Sequence, residues 1–346
     1  MALQAVTPDV LASGCAITAA EARKVVAAVH RGDPIENAAG VRRLALDAVR
    51  ARAYVPTLEV CSVHPSSIDP FVKLALRTAD GHVVEAVRIP LERAGRFSAC
   101  VSSQAGCALG CTFCATGRLG LARNLQAWEI VEQVRLVRAT LSRGERVHGV
   151  VFQGMGEPLA NAERVVEAIR VLCDPCALAI DARAMTVCTS GLPTGIRLLA
   201  REVPKVRLGV SVVSARRDVR RRLMPIDGTH PLDEVIDAAV EHARITGLAP
   251  LWAVTLLAGV NDTEEDARAL ADLSRRFAQL AGVRPRVSLI PYNAIDDHGG
   301  DPFVRADVAR FAEALALCGL RAHVRYSGGA DVAAACGQLG KARAAG

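Results

Sequence analysis

The sequence predicts an α/β protein: a partial (β/α)6 barrel with a small N-terminal helical module and a short β-hairpin. Three observations carry this. From residue 97 onward, short apolar runs alternate with segments of helical period, the pattern of a parallel sheet with right-handed crossovers. Between residues 70 and 90 the apolar period falls to two. Before about residue 60 the period is helical throughout.

Residues 1–68 read as the helical module. Thr18-Ala19-Ala20-Glu21 resembles a capping box, and Val25, Val26 and Val29 share a helical face. Val41 to Val55 continues the pattern, and Pro56 closes it. Residues 69–96 read as a hairpin connector, with strands Phe71–Arg77 and Val83–Ile89 around a turn at Ala79–His82. Residues 97–346 form the core. Its candidate strands are 97–102, 147–153, 184–189, 206–212, 250–257, 286–291 and 321–326. Its candidate helices are 126–142, 161–173, 193–202, 232–246, 263–280 and 305–318. Six strand–helix units fit that count, whereas a closed eight-unit barrel would take more chain.

Hydrophobic residues make up 51% of the 346, enough for a substantial core. No apolar run reaches the roughly 18 residues that argue for a membrane span, and Met1–Val10 has no basic-then-apolar leader pattern. A cytoplasmic protein with no membrane partner is expected. An odd number of cysteines, eleven, in such a chain points to metal binding, catalysis or burial instead of a disulfide framework. The net charge is +6, and only Lys24, Lys73, Lys205 and Lys341 are lysines, so the basic side chains are overwhelmingly Arg. Arg forks onto phosphate oxygens, and the run Arg216-Arg217-Asp218-Val219-Arg220-Arg221-Arg222 is dense. A phosphate-binding face and an ordinary solvated surface both fit.

In sheets of this kind the chemistry sits at the carboxyl ends of the strands. Distinctive stretches fall there: Gly154-Met155-Gly156-Glu157-Pro158, Cys188-Thr189-Ser190-Gly191, Ser211–Ser214, Asn261-Asp262 and Pro291-Tyr292-Asn293. The first strand leads into Cys107-Ala-Leu-Gly-Cys111-Thr-Phe-Cys114. Three cysteines do not close a structural zinc site, which takes four ligands. They can hold three irons of a four-iron cluster and leave the fourth open to a ligand. A zinc knuckle completed by a distant His or Cys, or three separate thiols, are the alternatives. Cys15, Cys61, Cys173, Cys176, Cys188 and Cys318 match no role, and the Cys173–Cys176 pair reads as a coincidence at a helix end.

Six stretches together resemble the RlmN/Cfr family of radical S-adenosylmethionine RNA methyltransferases. They are Val84–Pro90, Cys100–Cys107, the cysteine loop with Ala115-Thr116-Gly117, Gly154–Pro158, Leu223–Ile226 and Ala334-Ala335-Cys336-Gly337-Gln338-Leu339. The resemblance implies a radical-SAM barrel with a [4Fe-4S] cluster on Cys107, Cys111 and Cys114. S-adenosyl-L-methionine would bind the open iron and be cleaved to a 5′-deoxyadenosyl radical. Cys336 would carry a methyl group, and its methylene radical would add to an adenine ring carbon. C2 is the expected position; C8, or another RNA, is the alternative. Glu85 would remove the ring proton, and Cys100 would resolve the protein–RNA crosslink as a disulfide. Gly156 and Glu157 would meet the cofactor's amino group. Ser190, Ser211, Val212, Val213 and Asn293 would hold its ribose, carboxylate and adenine.

The implied partners are rRNA and/or tRNA, contacted in part by the 1–68 module, and an electron donor such as flavodoxin or ferredoxin. A monomer is expected. The chain departs from the family at Trp252-Ala253-Val254, Ala294-Ile295-Asp296-Asp297 and Arg325-Tyr326-Ser327-Gly328-Gly329. A non-catalytic iron–sulfur protein that binds RNA, and a radical enzyme with a small substrate, are the other function classes considered.

Overall fold

The computed structural model describes residues 1–295 and 300–340; Asp296, Asp297 and Lys341, named above, lie outside them. Helices α1 (Pro8–Cys15), α2 (Ala19–Arg31) and α3 (Arg43–Arg52) form the N-terminal module. The expected capping box is present: the Thr18 hydroxyl accepts from the Glu21 N–H while the Glu21 carboxylate accepts from the Thr18 N–H. The helices bury a separate small core around Leu11, Val25, Val26, Val29 and Val49.

The strands are β1 (Glu59–Pro65), β2 (Val72–Arg77), β3 (Val83–Pro90), β4 (Arg96–Val101), β5 (Gln104–Cys107), β6 (Gly120–Asn124), β7 (Arg146–Phe152), β8 (Met185–Thr189), β9 (Arg207–Ser211), β10 (Leu251–Leu256), β11 (Arg286–Pro291) and β12 (Ala322–Val324). Ten of them form one sheet in the order β1-β2-β3-β4-β7-β8-β9-β10-β11-β12. From β4 to β12 every pairing is parallel, and the β1, β2 and β3 edge is antiparallel. The expected hairpin strands are therefore continuous with the core sheet. They are joined by β1, which lies inside the 1–68 span expected to be helical: the last helix of the module ends at Arg52, and Glu59–Pro65 belongs to the sheet. β5 and β6 make a separate antiparallel ribbon around the cysteine loop.

The crossover helices are α5 (Ala127–Ala139), α6 (Ala162–Cys173), α7 (Pro193–Glu202), α9 (Leu232–Thr246), α10 (Glu264–Ala281) and α11 (Val308–Leu317), each close to its expected span. Two short helices were not expected, α4 (Ala115–Arg118) and α8 (Arg217–Leu223). The helices cover the outer face of the parallel strands. That is why β8, β9 and β11 read as nearly continuous apolar runs instead of alternating ones.

The module docks on α5. Arg135 and Arg138 donate to the carbonyls of Val29 and His30, and Gln4 donates to the Glu132 carboxylate. Among the described residues no helix is long and apolar enough to cross a membrane.

The chain after β12 ties the two sheet edges together. Asp331 accepts from Ser66 and Ser67 (2.7 to 2.9 Å), and Asp69 accepts from the Gly329 N–H (2.8 Å) and the Tyr326 hydroxyl (3.1 Å). This strap, residues 325–340, curls the sheet into the partial barrel and spans its open side.

Candidate active site

A cavity of about 170 Å³ lies at the carboxyl ends of the strands. Its walls include Cys100, Cys111, Cys114, Gly156, Glu157, Cys188, Ser190, Ser211, Val213, Arg325 and Cys336.

The cysteine loop is held mainly by backbone hydrogen bonds. The Thr112 N–H donates to the Leu223 carbonyl (3.0 Å), and the Ala115 N–H donates to the Gly337 carbonyl (2.8 Å). The Thr116 hydroxyl donates to the Leu339 carbonyl (2.6 Å). Burial pushes the Cys107 thiol up to about 11 and the Cys111 thiol up to about 12, and the neighbouring thiols add to both. Thiolates here are costly unless a cation shares the site, and three soft sulfurs suit iron. Among the described residues no three Cys, His, Asp or Glu side chains converge on a single ion. A multi-iron cluster asks instead that each thiol stand apart on its own iron.

The opposite wall is the turn after β7. An added Cβ on Gly154 would stand 2.6 Å from the Val101 carbonyl carbon, and Gly156 has φ of +96°, so neither position admits a side chain. This close approach sets Glu157 into the cavity wall, 3% exposed. Its carboxylate accepts from the N–H groups of Leu159 (3.0 Å) and Ser190 (2.7 Å). Burial nevertheless raises its pKa, against those donors. An ammonium group in the cavity would complete its partners, which fits the amino group of S-adenosylmethionine.

Arg220 organises the next stretch from behind. It is fully buried, pairs with Asp227 (3.0 Å), and donates to the carbonyls of Ser190 (2.7 Å), Ser211 (2.6 Å) and Val212 (2.5 Å). Beside these, Val213 has φ of +59°, a left-handed conformation that a β-branched residue adopts only under constraint. Asn261 supplies part of that constraint by donating to the Val213 carbonyl (2.8 Å). The Arg216–Arg222 run is thus not one phosphate-binding face: Arg216 pairs with Glu265 at 3.0 Å and Arg220 is inside. Replacing Arg220 with Met is expected to destabilise the fold by about 3–5 kcal/mol, because Asp227 and three carbonyls lose their partner in the interior. The denaturant midpoint, with S-adenosylmethionine affinity alongside, measures it; an unchanged midpoint contradicts the role.

Cys336 rides on the strap. Asn293 donates to its carbonyl (3.1 Å) and exchanges hydrogen bonds with Ser327 (2.7 and 3.0 Å), so Asn293 secures the strap next to the cavity wall at Tyr292. Val212 lies behind the wall, fully buried, with only its backbone engaged. Cys100 faces inward from β4 and Cys188 from β8. Burial pushes each of these thiols up to about 12; Cys336 nearby adds to the rise, and the Arg325 guanidinium opposes it.

Glu85 is fully buried on β3, 3.1 Å from Lys73 Nζ, and accepts from the Gly340 N–H. It lies beneath the strap, outside the cavity walls. All eleven cysteines are free thiols, Cys100 and Cys336 included, so the implied disulfide is absent from this state of the protein.

The cavity therefore gathers Cys100, Cys111, Cys114, Gly156, Glu157, Ser190, Ser211, Val213 and Cys336. Cys107 completes the loop at its edge. Residue patterns do not point out Cys188, Arg220 and Arg325. The one available signal is that Cys188 directly precedes the Thr189-Ser190-Gly191 strand end.

A radical SAM superfamily model matches residues 101–274. A probable RNA methyltransferase of Sorangium cellulosum is 58% identical, over 96% of this chain and 91% of that protein. The dual-specificity RNA methyltransferase RlmN of Syntrophobacter fumaroxidans is 43% identical, over 75% of this chain and 73% of that one. A crystal structure of a radical SAM methyltransferase from Sphaerobacter thermophilus is 34% identical and superposes with a TM-score of 0.86, covering 98% of this chain and 99% of that chain. With its cluster loop, its cavity and these likenesses, the chain belongs to the RlmN/Cfr family of radical S-adenosylmethionine RNA methyltransferases, which work with a [4Fe-4S] cluster and S-adenosylmethionine.

Proposed function

We propose that the protein methylates C2 of an adenine in rRNA or tRNA, through a methyl group carried on Cys336. The reading rests on one observation above all: Cys336 lines the same cavity as Cys100, Cys111 and Cys114. A ring carbon of this kind is not nucleophilic, so a methyl sulfonium alone cannot alkylate it. A protein sulfur that carries the carbon divides the reaction into feasible steps.

When bound at Cys107, Cys111 and Cys114, the cluster supplies the electron that cleaves the cofactor. The protein's own groups do the rest. Glu157 would hold the cofactor's amino group, and the Ser190, Ser211 and Val213 rim would hold its nucleoside. Cys336 would present its methyl carbon and form the bond to the ring. We assign Glu85 as the proton acceptor. Its contact with Gly340 means that the strap must release the carboxylate before it meets the base. Cys100 would then attack the Cys336 sulfur, with Arg325 favouring the thiolate.

We further propose that the protein acts as a cytoplasmic monomer supplied by flavodoxin or ferredoxin. The N-terminal module would touch RNA through the exposed Arg43 and Arg52, since Arg42 and Arg50 are paired with Glu21 and Glu36.

The test is mass spectrometry of reconstituted protein after exposure to methyl-labelled S-adenosylmethionine, followed by nucleoside analysis of treated rRNA and tRNA. One labelled methyl on the Cys336 peptide and labelled methyladenosine in the RNA are expected. An unmodified Cys336 beside methylated RNA overturns the reading.

A further inference from the structure

Three thiols, not two, face the cavity away from the cluster loop. Cys100 enters from β4, Cys188 from β8 and Cys336 from the strap, with Arg325 between them. Cys188 is 8% exposed and sits opposite Gly209 of β9. An added Cβ on Gly209 would stand 2.8 Å from the Cys188 sulfur. The missing side chain is what makes space for that sulfur beside β9. Arg325 donates to Gln153 (3.0 Å), which keeps its guanidinium over this corner of the cavity.

Sheet geometry limits which thiols can pair. β7 separates β4 from β8. Two strand steps amount to roughly 9.5 Å, beyond the roughly 7 Å between Cα atoms that a disulfide tolerates. Cys100 and Cys188 are therefore kept from each other. Cys336 belongs to no strand or helix. It is flanked by left-handed backbone at Ala333 (φ +51°) and Gly337 (φ +88°) and is tied at its carbonyl, so its sulfur can turn to either wall.

We propose that Cys188 is a second resolving thiol, attacking the Cys336 sulfur of the protein–RNA crosslink from β8 as Cys100 does from β4; the inference rests on the methyl-carrier reading above. In the step, a Cys188–Cys336 S–S bond forms and the bond from the Cys336 sulfur to the methylene carbon breaks. The electron pair of the broken bond passes to that carbon, which takes one proton and becomes the methyl group. The Cys188 thiol gives up its proton before the attack. The two sulfurs are oxidised by the two electrons that the carbon gains. A thiol reductant then reopens the disulfide, as either resolving cysteine requires.

The test compares Cys100→Ala with the double variant Cys100→Ala/Cys188→Ser, each reconstituted and taken through one turnover on transcribed rRNA and tRNA. Equal iron absorbance checks the fold. In Cys100→Ala the crosslink is expected to decay with the appearance of a Cys188–Cys336 disulfide peptide under non-reducing digestion. In the double variant the crosslink should last at least about tenfold longer.

A second measurement needs no turnover. Mild diamide oxidation of the wild-type protein should yield Cys188–Cys336 and Cys100–Cys336 bridges and no Cys100–Cys188 bridge. Equal crosslink lifetimes in the two variants, or no Cys188–Cys336 bridge in either experiment, overturn the inference alone. A wild-type protein with no methyl on Cys336 overturns the functional reading and the inference with it.

Discussion

Cys336→Ala is expected to abolish RNA methylation while the protein stays folded and keeps its cluster. In the fold, the residue contributes its carbonyl, which accepts from Asn293, and alanine keeps that carbonyl. Its partly buried side chain donates no hydrogen bond among the described residues, so stability should stay within about 0.5 kcal/mol. The reaction has no other sulfur on the strap to carry the carbon. Loss of a covalent carrier removes a step outright, and the rate should fall on the order of 10⁴-fold or more. Labelled methyl transfer to RNA, with iron content and the denaturant midpoint alongside, checks this. Turnover within tenfold of wild type would show that Cys336 is not the carrier.

Replacing Cys107, Cys111 and Cys114 together with Ala should remove iron binding, the brown absorbance and all cleavage of S-adenosylmethionine. The backbone should hold its shape. Ala115 and Thr116 reach the strap carbonyls, and Thr112 reaches Leu223, without using any of the three sulfurs. In the apoprotein burial keeps the three thiols protonated and neutral, so alanine removes no charge there. The apoprotein of the triple variant should therefore stay folded, its denaturant midpoint lowered only by the lost packing of three sulfur atoms. A triple variant that binds four irons and still makes 5′-deoxyadenosine would refute the assignment.

The residue pattern showed the parallel core because strands buried on both faces and amphipathic helices leave strong, different periods. β1 left little trace: it is an edge strand with nearly every residue exposed, so no buried face imposes alternation on Glu59–Pro65. The β5–β6 ribbon was hidden because its role is to frame a loop, and its residues are small and polar.

Within the site, residue types with a fixed chemistry were legible, namely the cysteine loop and Glu157. Residues that act by position were not. Arg220 reads as one more arginine in a basic run, because nothing local reveals that its partners are carbonyls up to 30 positions away. Asn293 was expected at the cofactor, and its tie to the strap, a contact across 43 positions, left no local trace.

The strap also fixes an order of events. Ser66 meets Asp331 across 265 positions and Asp69 meets Gly329 across 260, while the parallel sheet forms between neighbours in the chain. Contacts of such span carry the largest loop-closure entropy and form last. During synthesis the cysteine loop leaves the ribosome long before Cys336 exists, and its hydrogen bonds to the Gly337 and Leu339 carbonyls form only with the strap. Until then the ties from Asp331 to Ser66 and Ser67, and from Gly329 to Asp69, are unmade. The loop therefore takes its final hydrogen bonds in the same closing step that brings Cys336 to the cavity.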